Sequence, residues 1–283
     1  MDSVLWDDWH VVADAIALRH GRPVRTSLLG VALEIVRKAD GGVSIRRQDG
    51  APLHGDVRHG FVWACLGAPA RPIITIPEMD GEAKSVVSAG AIAVHASAGR
   101  VIENFLDLAH LGYVHAGYLG AEPETGVESY DVRRLPDGGI QATGCKAYQP
   151  LESQAATAGV FVEYSYKVER PLIASFDKSD LNGRRFVVMY IFAQPVDEEH
   201  TVAHTLLLIL DEGFEPAESR ALLQFIFLQD KPILENQYPK RLPIGPRLEM
   251  PIMADKTSVA YRRWLAELGL TYGTIRAPEE AAA

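Results

Sequence analysis

Residues Arg185–Glu235 read RFVVMYIFAQPVDEEHTVAHTLLLILDEGFEPAESRALLQFIFLQDKPILE. Two β-type runs, Arg185–Gln194 and Thr201–Leu210, flank the turn Asp197-Glu198-Glu199, which predicts antiparallel neighbours. A long helix is predicted over Glu215–Glu235, with Pro232 as the point where it would kink. Upstream, Val160–Val168 is a third long run, and two further runs flank Asp137-Gly138-Gly139 as a hairpin. Ala91–Ala96 reads as a strand. Residues 101–111, VIENFLDLAHL, have helical periodicity, with Ile102, Phe105, Leu106 and Ala109 on one face. A last helix spans Thr257–Leu268 and stops at Gly269. Many antiparallel strands with a few segregated helices make an α+β pattern. A strand meander followed by a long helix predicts a curved sheet gripping that helix, with a ligand cavity between them.

The N-terminal part is all β in character. TSLLGVALEIV over 26–36 looks like a strand pair, followed by Val43–Arg47 and by GFVWACL over 60–66. The proline-rich stretch Ala68–Pro77 marks a boundary, so the expected domains are 1–77 and 78–283.

Composition narrows the function classes. The 283 residues are 47% hydrophobic and 23% charged, which is ordinary for a globular chain. The net charge of −9 argues against a nucleic-acid partner, because phosphate neutralisation calls for a basic surface. Cys65 and Cys145 are the only cysteines, too few for a disulfide scaffold or a four-cysteine metal site. The N-terminus carries acids where a secretory signal carries Lys or Arg, and no apolar run is long enough to cross a bilayer. The expectation is a cytoplasmic protein with no membrane partner.

The chemistry concentrates in ENFLDLAHLGYVH, Glu103–His115. On a helix, Asp107 and His110 at i and i+3 share a face. His110 and His115, five apart, would diverge by about 140° on one straight helix. The helix must therefore break between them, and Gly112 is the expected point. The spacing also argues against a zinc-protease pair, which uses i and i+4. Two histidines need a third ligand for a facial Fe(II) triad. Asp230, set in the apolar FIFLQDKPIL, is the candidate, because a buried carboxylate is costly unless paired or metal-bound. An ion pair with Lys231 or Lys240 is the alternative for Asp230.

N-x-x-D-x-x-H-x4-H followed far downstream by QDKPILENQ resembles the oxygenase component of the Rieske non-haem iron oxygenases, in their monooxygenase and demethylase branch. WHVVA over 9–13, GFVWACLGAP and the closing YRRWL over 261–265 extend the resemblance over most of the chain. It implies that His110, His115 and Asp230 ligate Fe(II). It also implies that Asp107, with Asn104 beside it, links the iron to a Rieske centre. The family's N-terminal domain holds a [2Fe–2S] cluster through C-x-H and C-x2-H. Here the chain runs from GGVSI to APLH without either loop, and His54 and His59 have no cysteine beside them. The resemblance then implies a remnant Rieske-like β-domain with no cluster, joined to a helix-grip catalytic domain. Electrons would come from a partner, either a Rieske-containing reductase or a homologous oxygenase subunit, in a hetero-oligomer.

ENFLDLAHLGYVHAGYLGAEP, NQYPKRLP and YRRWLAELGLTYG resemble the cluster-less branch that degrades methylxanthines. The activity implied is O2-dependent N-demethylation of a 7-methylxanthine-like compound with release of formaldehyde. Another small aromatic substrate, or a non-catalytic role beside active homologues, are the competing readings. For the substrate, His204 alternates with Leu206 and Leu208 onto one strand face that would line the cavity and meet a purine carbonyl. Asn236 and Gln237 follow the metal helix and would read a xanthine edge. Tyr164 and Tyr166, alternate on one strand, would stack on a flat ring or pack the core.

Overall fold

The computed structural model describes residues 2–136, 138–150, 158–212 and 214–276. After a one-turn helix α1 (Ser3–Trp6), the chain forms β1 (His10–Asp14), β2 (Val24–Leu28), β3 (Val31–Arg37), β4 (Val43–Arg47), β5 (His54–Arg58) and β6 (Phe61–Cys65). These strands make two small antiparallel sheets, β1-β6-β5 and β2-β3-β4. Then come β7 (Ser85–Val94), α2 (Ala98–Leu106) and α3 (Leu111–Val114). The meander β8 (Asp131–Arg134), β9 (Ile140–Gln149), β10 (Val160–Arg170), β11 (Ile173–Asp180), β12 (Arg185–Pro195) and β13 (Thr201–Ile209) leads into α4 (Pro216–Asn236). The chain closes with β14 (Leu242–Pro243), α5 (Lys256–Glu267) and β15 (Thr274–Ile275).

The main sheet has seven antiparallel strands in the order β7-β13-β12-β11-β10-β9-β8. Its α+β architecture agrees with the strand-and-helix reading of the sequence. Strands β8 and β9 form the expected hairpin, although Asp137 of its turn lies outside the described residues.

The two faces of the sheet are covered differently. On one, Val188, Tyr190, Phe192, Leu206 and Leu208 pack against Phe61, Trp63 and Ile74 from the N-terminal segment. The other carries Tyr166, Phe176, Met189 and Leu207 toward α2 and α4, around a cavity. Both faces being covered explains why β12 and β13 read as nearly continuous apolar runs rather than alternating ones.

Helix α4 starts at Pro216, whose missing N–H costs nothing in the first turn. Its buried stripe runs Phe227, Asp230, Leu234. A carboxylate thus occupies a position that burial would give to a hydrophobe. No helix among the described residues is long and apolar enough to cross a membrane.

Candidate metal centre

Helix α2 is capped by Ser97, whose hydroxyl accepts from the Arg100 N–H at 3.4 Å. It ends at Leu106, one turn earlier than the apolar periodicity suggests. Asp107 is extended, with φ −81° and ψ 127°. Asp107 and His110 therefore do not share a helix face. The Asp107 carboxylate instead closes an Asx turn, Oδ1 accepting from the Ala109 N–H at 2.8 Å, while Oδ2 lies 3.2 Å from His110 Nδ1.

The helix breaks at Asp107, not at Gly112, which sits inside α3. His110 and His115 cap the two ends of this one-turn helix, and that brings their Nε2 atoms to 3.2 Å. Gly112 serves a different purpose: a Cβ there would meet Thr125 Cγ2 at 2.8 Å, and one on Gly120 would meet the Gly112 backbone at 2.6 Å. The 110–120 segment is folded too tightly for side chains at either position.

Asp230 reaches in from α4. Its Oδ1 lies 3.0 Å from His115 Nε2 and 3.4 Å from His110 Nε2, yet it is buried without a hydrogen bond of proper geometry. The three donor atoms lie within 4.8 Å of one another. Lys231 pairs with Glu235, so the expected alternative of an Asp230–Lys231 pair is not formed.

The outer nitrogens settle the tautomers. His110 Nδ1 faces Asp107, and His115 Nδ1 faces Gln229 Oε1 at 2.9 Å. Both acceptors require the proton on Nδ1, which leaves both Nε2 lone pairs pointing at Asp230. Two lone pairs and a carboxylate oxygen facing one another repel unless a cation lies between them. Protons feel the same convergence. Burial alone would lower the His110 pKa, but the Asp107 and Asp230 carboxylates beside it outweigh that and lift it to about 9. For Asp230, burial would raise the pKa, and its contacts with the two histidines overcome this and bring it to about 2. The residues present fit a two-His, one-carboxylate site for Fe(II). The sequence alone assigns Gln229 no role. Its signal is its place beside Asp230 on α4, and its partner, His115, lies far away in sequence.

The cavity on the sheet side of these residues has a volume of about 460 Å³. Phe105 stacks on Phe176 with centroids 5.3 Å apart, and Tyr166 meets both rings edge-on. Tyr164 and Tyr166 both line it, as does Asn104. His204 does not. Its alternation with Leu206 and Leu208 holds, but that face turns toward the N-terminal sheet, where His204 Nε2 donates to Gln194 Oε1 at 3.0 Å and its ring meets Phe61. Asn236 and Gln237 are likewise absent from the cavity. They line a second depression of about 920 Å³, which also reaches Asn104, Asp107 and His110.

The cysteines are buried and free. Burial pushes the Cys65 thiol up to about 11 and the Cys145 thiol up to about 12.

The chain is similar to several known proteins. A family model described as the vanillate O-demethylase oxygenase C-terminal domain matches residues 94–271. The chain is 42% identical over 279 residues to a probable methylxanthine N7-demethylase, NdmC, of Pseudomonas sp. (strain TJI-51), covering 97% of this chain and 98% of that protein. It is 28% identical over 179 residues to the methylxanthine N1-demethylase NdmA of Pseudomonas putida, covering 61% of this chain and 47% of that protein. Among solved structures, NdmA of Pseudomonas putida CBB5 with caffeine matches with a TM-score of 0.78 at 19% identity, over 94% of this chain and 91% of that one. Dicamba monooxygenase bound to 3,6-dichlorosalicylic acid matches with a TM-score of 0.73 at 15% identity, over 93% and 97%. At these identities the solved structures attest the fold.

Proposed function

The chain belongs to the Rieske non-haem iron oxygenases, in the vanillate O-demethylase oxygenase family, and from that premise we propose that it is the catalytic subunit of a methylxanthine N-demethylase. Members of the family are oxidoreductases that use iron. The observation that carries the reading is the convergence of His110 Nε2, His115 Nε2 and Asp230 Oδ1 at an aromatic-lined cavity, with both histidine Nδ1 atoms already engaged.

Fe(II) held there by His110, His115 and Asp230 would supply O2 activation, given two electrons from outside. Asp107 and Gln229 hold the two imidazoles in the ligating tautomer. Phe105, Tyr166 and Phe176 form one packed aromatic wall against which a flat ring would rest. The net step consumes O2, two electrons and two protons, turns an N–CH3 into N–CH2OH, and releases water. The N-hydroxymethyl product then parts into the N–H compound and formaldehyde. A 7-methylxanthine-like substrate is favoured by the 42% identity to the NdmC protein over nearly the whole of both chains.

The electrons come from a partner's Rieske cluster in this reading. Two buried cysteines with raised pKa values are poor cluster ligands, and His110, His115 and Asp230 are the only metal-ligand group found among the described residues. Residues 1–77 are then a reduced β-domain that braces the main sheet rather than a redox module. The larger depression offers the partner a route to Asp107 and His110, and its lining includes Met250, which is 93% exposed.

The test is NADH-dependent formaldehyde release by the Fe(II)-loaded chain with a Rieske-containing reductase, across mono-, di- and trimethylxanthines and O-methyl benzoates. Formaldehyde equimolar with demethylated xanthine is expected. Release only from O-methyl benzoates, or from nothing, overturns the reading.

A further inference from the structure

Several buried tyrosines of this chain engage their hydroxyls with the protein. Tyr130 donates to the Ala254 carbonyl at 2.6 Å, Tyr261 donates to the Pro171 carbonyl at 2.7 Å, and the Tyr164 hydroxyl accepts from the Gln149 amide. Tyr166, on β10, is just as buried, at 3% exposed, and lines the cavity. Its hydroxyl has no hydrogen-bond partner among the described residues, and it is not one of the unpartnered atoms sealed inside the protein, so it borders open space. The open space beside Tyr166 is the cavity that His110, His115 and Asp230 also border. The ring is fixed in place. It meets Phe105 edge-on at 6.0 Å and Phe176 at 5.7 Å, and it stacks on Tyr164 at 5.8 Å. Register holds it between Ala142 of β9 and Phe176 of β11. Only the O–H bond is left to swing. Burial, with Tyr164, Cys145 and Asp107 nearby, pushes the phenol pKa well above its ordinary value of 10, so the group remains a donor.

A phenol O–H kept from both protein and water is costly, so a ligand that fills the cavity either satisfies this donor or pays for leaving it unpaired. A methylxanthine offers it ring carbonyl oxygens, which stand out from the ring edge, whereas the ring nitrogens lie flush with that edge. We propose that Tyr166 is a specificity-determining residue that donates its O–H to a ring carbonyl oxygen of the substrate. This deepens the methylxanthine reading and rests on it. The ring of Tyr166 belongs to the aromatic wall, and its hydroxyl is the polar mark by which that wall tells a dioxopurine from a purine without carbonyls.

The test is calorimetric titration of the Fe(II)-loaded full chain, kept anaerobic, with 7-methylxanthine and with 7-methylpurine, which keeps the ring nitrogens but lacks the carbonyls. Tyr166→Phe preserves the wall and removes only the O–H. It is expected to bind 7-methylxanthine about three- to tenfold more weakly than the wild type does, the usual worth of a neutral hydrogen bond. Its binding of 7-methylpurine, its iron content and its resistance to urea should be unchanged, because the hydroxyl bonds to nothing in the folded chain. Unchanged affinity for 7-methylxanthine in Tyr166→Phe, or no binding of it by the wild type, overturns the assignment. So does an equal loss for both compounds, which would point to a ring nitrogen, or a loss of iron or of stability, which would make the hydroxyl structural. Xanthine binding that depends on the Tyr166 hydroxyl but yields no formaldehyde in the reductase assay would leave the assignment standing and remove the demethylase reading instead. Formaldehyde release with equal xanthine affinity in wild type and Tyr166→Phe would do the reverse.

Discussion

Asp107 is the residue whose neighbours say most about its task. It touches His110 Nδ1 but contributes no atom to the cluster of His110 Nε2, His115 Nε2 and Asp230 Oδ1. Burial would raise its pKa, yet the hydrogen bond with His110 keeps it lowered, so it is an anion at neutral pH. Asp107→Asn is expected to retain most of the iron, because no ligand is lost. Its partner-driven turnover should fall at least tenfold, because the carboxylate that orients His110 and faces the larger depression is gone. Iron content and turnover measured on one preparation check both halves. His204 makes a different prediction. Burial lowers its pKa from 6.5 to about 4, so the folded chain holds it neutral. The unfolded chain binds a proton at His204 below about 6.5, and the folded one only below about 4. Its contribution is therefore complete above pH 6.5 and is lost as the pH falls, by on the order of 3 kcal/mol at pH 4. His204→Gln keeps a donor for Gln194 and removes the titration. Its unfolding free energy should fall less steeply than that of the wild type between pH 6.5 and 4, measured by urea denaturation.

At the scale of elements, the segment from α2 to α3 carries the site, and it is where sequence and structure part most instructively. Periodicity in VIENFLDLAHL continues to Ala109, but the helix stops at Leu106 because the Asp107 side chain takes over the backbone donor of Ala109. Spacing predicts a break between His110 and His115, but the chain breaks before both, at Asp107, and seats the two histidines at the ends of α3. Spacing cannot show this, since the short helix is held by Thr125 and Gly120 folding back on Gly112. The strands show a similar limit. Alternation correctly groups His204 with Leu206 and Leu208, but which face meets α4 depends on how the N-terminal sheet packs, and both faces are apolar. Asp230 was legible because a carboxylate interrupts the buried stripe of α4, whereas Gln229 needed the fold to bring it to His115. Gly120→Ala tests the tight turn. Its Cβ would strike the Gly112 backbone at 2.6 Å and push α3 away. Iron affinity is expected to drop about tenfold or more, as when the groups supporting metal ligands are removed. Circular dichroism should show the seven-stranded sheet intact. Unchanged affinity would mean that the segment relaxes without moving its histidines.

For the whole molecule, the sheet is a wall between two different jobs. One face is sealed by the N-terminal β-segment through Phe61 and Trp63, and the other builds the cavity that the metal-binding residues border. In the proposed reading the chain is the iron half of an oxygenase, and its two cysteines are both buried. The central claim is a single-iron subunit that depends on a partner's cluster. It is tested most directly by iron analysis and low-temperature EPR of the isolated chain, reconstituted anaerobically with Fe(II) and sulfide and then reduced with dithionite. The expected result is about one Fe(II) per chain, lost in His110→Ala, His115→Ala and Asp230→Ala, with no reduced [2Fe–2S] signal. A Rieske-type signal from the isolated chain, or iron retained in all three variants, would contradict it.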